Sequence, residues 1–137
     1  MPWVYDPHSG GITIPERSKA GIKSRILAYA NEHYAGKFTK LDIRFRKKFC
    51  YISAFKEPYV PEDFKPFDAS ESREECIERQ RNTPIELCRL RHFTADRWSV
   101  AFFSYGNMKY EPCVFNNGTF EGTPEEGFEV GAMYLAG

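Results

Sequence analysis

The chain has 137 residues, enough for one domain that buries roughly two thirds of the surface its unfolded form would expose. Nineteen basic and nineteen acidic residues cancel, which argues against a general nucleic-acid coat protein but leaves room for a local basic patch. Aromatic residues make up 16% of the chain, with twelve Phe and eight Tyr, so large rings should dominate the core and some should remain at a surface.

Nothing in the sequence is long and apolar enough to span a membrane, so no membrane partner is expected. The opening MPWVYDPHSGG lacks the basic and apolar regions of a secretory signal, and the expected location is cytoplasmic. Cys50, Cys76, Cys88 and Cys113 fit no zinc or redox spacing, so they read as reduced thiols that fill apolar space. The histidines His8, His33 and His92 are scattered, with no HxH or HExxH, so neither a metal site nor a cofactor is expected.

Residues 1–12 read as an irregular arm broken at Gly10-Gly11. Thr13-Ile14-Pro15-Glu16 predicts a helix start, with Thr13 capping and Glu16 reaching back. The helix should run to about Ala35 and stop at Gly36. Its apolar stripe is Ile22, Ile26, Tyr29, Ala30 and His33, and Arg17, Lys19, Lys23 and Arg25 read as a solvated face.

Residues 41–55, LDIRFRKKFCYISAF, predict two strands turning over Lys47-Lys48. Alternation puts Leu41, Ile43 and Phe45 on one face, with Phe45 opposite Cys50 and Ile43 opposite Ile52. The other face carries Arg44, Arg46, Phe49, Tyr51, Ser53 and Phe55, a mixture of guanidinium and aromatic groups. Pro58, Pro61 and Pro66 then alternate with Tyr59, Phe64 and Phe67, which predicts a strap laid over the body. Residues 72–82 predict a short polar helix anchored by Cys76 and Ile77 and supported by pairs such as Glu75–Arg79.

Residues 86–93, 97–105 and 108–115 predict a three-stranded meander. Gly106-Asn107 should be a two-residue turn with both residues at positive φ, pairing Phe103 with Tyr110 and Val100 with Cys113. Pro112 marks that last strand as an edge or a bulge. A short strand at 119–121 should follow. Thr123-Pro124-Glu125-Glu126 is a capping box opening a helix with Phe128, Ala132 and Leu135 at apolar spacing and Val130 and Met133 beside them. Gly127 and Gly131 weaken that helix unless they let it pack closely on a sheet. The order predicts a single α+β domain with an antiparallel sheet of five or six strands.

Four segments together carry a resemblance: YDPHSGG with a following Ile-Pro, LDIRFR-x-x-FCYI, LCRLR, and GTPEE-x-FEV. They resemble a family of small bacterial proteins with no assigned activity. The resemblance implies a single free-standing domain and transfers no reaction, ligand or partner.

The expected functional surface is the Arg/aromatic face. Alternation in 87–93 groups Leu87, Arg89, Arg91 and Phe93, so Arg44, Arg46, Arg89 and Arg91 would surround Tyr51, Phe55 and Phe93. Rings that stack bases beside arginines that hold phosphate suit single-stranded nucleic acid, and the same face suits an acidic protein. The plainer reading is that the strap covers the rings and glutamates pair with the arginines. The leading function class is therefore a non-catalytic binding module with an anionic partner, and a homodimer is compatible with it. The alternative is a small enzyme or ligand-binding protein with a pocket between sheet and helices, using Cys88, His92 or Cys50.

Overall fold

Hairpin-joined strands and terminal helices fold as the order of the elements implies. A computed structural model describes residues 9–62 and 71–135. His8, the arm before residue 9 and the strap from residue 63 to 67 lie outside the described residues. The elements are α1 (Glu16–His33), β1 (Lys40–Arg46), β2 (Phe49–Phe55), α2 (Arg73–Arg81), β3 (Ile85–Thr94), β4 (Arg97–Ser104), β5 (Lys109–Cys113) and α3 (Pro124–Gly131), which tightens into a 3-10 turn over Ala132–Tyr134. The strands form one five-stranded antiparallel sheet in the order β1-β2-β3-β4-β5. This is a single-domain α+β fold. Among the described residues no helix is long and apolar enough to cross a membrane.

The β1–β2 register is the one that alternation demands: Phe45 opposes Cys50 and Ile43 opposes Ile52. A slip of one residue would turn the apolar face to water. Lys47 makes the turn possible with φ +55. Leu41, Ile43, Cys50, Ile52, Leu90, Trp98 and Val100 are buried beneath α1 and α3. From the helices come Ile22, Ile26 and Ala30, then Phe128, Val130 and Leu135. Phe128 is fully buried, with Tyr29 and Tyr34 packed edge-on at 6.1 and 5.7 Å. Burying one such side chain is worth about 1.5–3 kcal/mol.

The two glycines of α3 let it sit directly on the sheet. A Cβ at Gly127 would fall 2.3 Å from Leu90 Cδ2, and one at Gly131 would fall 2.8 Å from Leu87 Cβ. The Thr123–Glu126 capping box closes reciprocally, as read from the sequence. Pro112 lies on the edge strand β5, where a residue without an N–H is tolerated.

Several expectations are corrected. Thr13 does not cap α1. Ile12 N–H donates to the His92 carbonyl and Ile14 N–H to the Lys47 carbonyl, which holds residues 12–14 extended and leaves Pro15 at the N-cap. Glu16 pairs with Lys19 instead of reaching back. Helix α1 ends at His33, which is exposed and does not extend the buried stripe. Arg25 is no solvated charge: it bonds Glu125 at 2.9 Å and Asp96 at 2.7 Å, tying α1 to α3 and to the β3–β4 turn. In α2, Arg79 pairs with Glu71 and not with Glu75, while Arg81 holds Glu57. Met133, beyond α3, is exposed.

The meander is corrected at three points. The β4–β5 register is as expected, but the loop is Tyr105 to Met108, with Met108 at φ +51 and Gly106 outside the positive-φ region. Residues 119–121 form no strand. Only an isolated bridge joins Gly122 to Trp98. A bulge in β3 leaves Leu87 without a partner between Cys88, opposite Ile52, and Glu86, opposite Ser53. Leu87 and Cys88 therefore both face the core, and Glu86 joins the arginine face in place of Leu87.

Candidate functional site

Cross-strand register builds the site. On the sheet face opposite α1 and α3, Arg46, Phe49, Arg91 and Ser99 form one row across β1–β4. Arg44, Tyr51, Arg89, Ala101 and Pro112 form the next row. Each row sets a ring on β2 between two arginines. The rows stand about 6.7 Å apart along the strands, and the Phe49 and Tyr51 ring centroids are 6.1 Å apart. A third row, Asp42, Ser53 and Glu86, closes the series.

Positive charge collects at the Phe49 end. The Phe49 ring has the Arg89 guanidinium at 4.5 Å, Arg91 at 4.9 Å and the Lys48 ammonium at 5.8 Å. Ring faces attract cations through their quadrupole, so one ring holds three groups that repel each other. Arg91 also donates to the Gly10 carbonyl at 2.8 Å. The side chains of Arg46, Lys47, Lys48 and Arg89 have no carboxylate partner among the described residues.

The other end is charge-balanced. Arg44 reaches Asp42 and Glu86, both at 3.3 Å, and lies 5.9 Å over Tyr51. One oxygen of Glu86, Oε2, accepts from the Ser53 hydroxyl at 2.6 Å, from the Tyr110 phenol at 3.1 Å and from Arg44 at 3.3 Å. Burial, with the Glu86 charge beside it, holds the Tyr110 phenol protonated well above its ordinary range. Tyr51 packs edge-on against Tyr110 at 5.5 Å and Phe103 against Tyr110 at 5.1 Å. Arg44, Arg46, Tyr51, Glu86, Phe103 and Tyr110 line a shallow groove of about 580 Å³.

Of the residues singled out from the sequence, Arg44, Arg46, Tyr51, Arg89 and Arg91 come together. Phe55 stands apart from the groove, at the far end of β2 opposite Lys40. Phe93 leaves the cluster because the ladder slips between His92 and Thr94, and Arg97 lies 5.4 Å over its ring. Glu86, Phe103 and Tyr110 were missed. The alternation of Ser99, Ala101 and Phe103 against Trp98, Val100 and Phe102 signals Phe103, and pairing over the last turn then brings Tyr110. Residues 56–62 do not seal the face, since Arg44 keeps half its side chain exposed. Helix α2 instead docks on that segment through Arg73, which donates to the Val60 and Pro61 carbonyls, and through Arg81.

A second concavity of about 590 Å³ lies between Pro58, Tyr59, Arg79, Pro84, Ile85 and Tyr105. Its Arg79 is already paired with Glu71. The groups named for catalysis are enclosed. Cys50 and Cys88 are fully buried. Burial pushes the Cys50 thiol up to about 12 and the Cys88 thiol well above its usual range. Neither supplies a thiolate near neutral pH. His92 is buried against Trp98, its Nδ1 2.8 Å from the Ile12 carbonyl.

No protein-family model, no curated protein and no solved structure matches this chain.

Proposed function

We propose that the protein is a non-catalytic binding module whose open sheet face takes a single-stranded nucleic acid. One observation carries the reading: two successive rows of the sheet each present an aromatic ring between two arginines, and beside them Arg46, Lys47, Lys48 and Arg89 have no carboxylate partner among the described residues. Rings offer stacking surface to any base, and guanidinium groups grip phosphate through a planar fork. An acidic protein would use the cations but not the rings. Neutral overall charge makes the patch, and not the whole surface, the determinant.

The test is anisotropy of labelled single-stranded nonamers over a salt series. Three or four phosphate contacts predict a log–log slope of about −2 to −3. Arg46→Glu with Arg89→Glu should abolish binding while leaving the thermal melt intact. Tyr51→Leu should weaken binding at every salt concentration, because base–ring stacking is worth about 1–3 kcal/mol. Absence of binding at low salt refutes the reading. Polyglutamate binding as tightly as the nonamers, with no effect of Tyr51→Leu, would replace nucleic acid by an acidic protein.

A further inference from the structure

Glu86 is oriented more firmly than charge neutralisation of Arg44 requires. Three donors converge on Oε2: Ser53, which is itself 1% exposed, Tyr110 and Arg44. The other oxygen, Oε1, accepts no hydrogen bond among the described residues. The Glu86 side chain is about a quarter exposed and lines the groove with Tyr51, Phe103 and Tyr110. The result is a fixed anionic acceptor among aromatic rings, two residues along β2 from the Tyr51 row.

Resting on the nucleic-acid reading above, we infer that Glu86 reads one base of the bound strand by accepting a hydrogen bond from an exocyclic amino group. Cytosine presents an N4 amino donor where thymine presents the O4 acceptor. A carboxylate oxygen accepts from the first and repels the second. Stacking on the rings is indifferent to this edge, so the preference comes from Oε1 alone.

The geometry makes Glu86→Gln an informative variant. Ser53 passes its proton towards residue 86 because its oxygen accepts from Arg44. The Tyr110 and Arg44 groups are donors as well. All three therefore hold the amide oxygen at the Oε2 position and leave the NH₂ group at the Oε1 position. An acceptor becomes a donor with almost no change of shape.

The experiment compares oligo(dC) and oligo(dT) nonamers by anisotropy on the wild type, Glu86→Gln, Tyr110→Phe and Arg46→Glu. The wild type should bind oligo(dC) about tenfold tighter, within what one hydrogen bond to a charged group supplies. Glu86→Gln should erase or reverse the ratio. Tyr110→Phe keeps the ring and the carboxylate but removes one of the three donors, so it should lower the ratio by less. It also serves if Glu86→Gln fails to fold. Equal binding of both strands, with Arg46→Glu weakening both, overturns the Glu86 inference and leaves the nucleic-acid reading standing. Equal loss for both strands in Glu86→Gln also overturns it, because that marks a structural role. No binding of either strand removes both.

Discussion

Adding one methyl group at Gly131 should push α3 off the sheet. A Cβ there would meet Leu87 Cβ at 2.8 Å, the Leu87 carbonyl carbon at 3.0 Å and Cys88 Cβ at 3.1 Å. Carbon atoms settle near about 3.5–4.0 Å, so the helix must retreat by roughly 0.7 Å. None of these three atoms is the free end of a side chain, so the strand does not yield easily. The retreat loosens Phe128 and Leu135, both fully buried. Overpacking of this kind costs about 1–3 kcal/mol. Alanine offsets at most about 1 kcal/mol through helix propensity, and less at the last helical residue. The net loss is about 1–2 kcal/mol, a fall in Tm of roughly 3–8 °C for a chain of this size. Gly21→Ala is the control. Gly21 is exposed inside α1 and a Cβ there meets nothing within 4 Å. The same substitution should stabilise at that position by up to about 1 kcal/mol. Urea melts with unchanged slope would measure both. A Gly131→Ala variant as stable as the wild type would refute the close-packing argument.

Two further outcomes follow from the backbone and the thiols. Met108 is exposed at φ +51, so Met108→Gly should raise the melting midpoint, by up to about 1 kcal/mol in stability. Gly106→Val, at ordinary φ with open space around it, should shift stability by no more than about 0.5 kcal/mol, and a large loss there would restore the two-residue turn. The Cys50 thiol, pushed up to about 12 by burial, remains protonated in the folded chain after the unfolded chain has lost its proton near 9. Its contribution is thus present below pH 9 and is lost as pH rises towards 12, where Tyr34, also pushed up to about 12 by burial and by its bond to Glu129, acts in the same direction. Chemical denaturation over that range measures the decline. Iodoacetamide at neutral pH should leave Cys50 and Cys88 unlabelled until the chain unfolds, and rapid native labelling of either would overturn their assignment as filler.

The first hairpin was legible because period-two alternation on both strands meets at a two-lysine turn, and a one-residue slip would take Cys50 and Ile52 off the face of Ile43 and Phe45. The last helix was legible because Thr123, Pro124 and Glu126 satisfy its first turn locally. These are short-range constraints. The Thr13 cap failed for a long-range reason: the neighbouring Ile12 and Ile14 amides find partners in His92 and Lys47, far along the chain.

The candidate site divides the same way. Arg44, Arg46 and Tyr51 were placed correctly by alternation within one hairpin. Glu86 was invisible because Leu87 and Cys88 are both apolar, so unbroken alternation and a bulge fit the sequence equally well. Tertiary packing chose the bulge: α3 approaches through Gly127 and Gly131, close enough to take two successive side chains of β3. That one extra residue sends Leu87 into the core and turns Glu86 towards Ser53, Arg44 and Tyr110. The sequence by itself determined the three helices, the five strands of the sheet, the first hairpin's register and the arginine-rich character of the open face, because these depend on neighbours within a few residues. Which carboxylate joins that face was decided only by the helix docking against the sheet, because a strand's phase depends on the side chains it must bury.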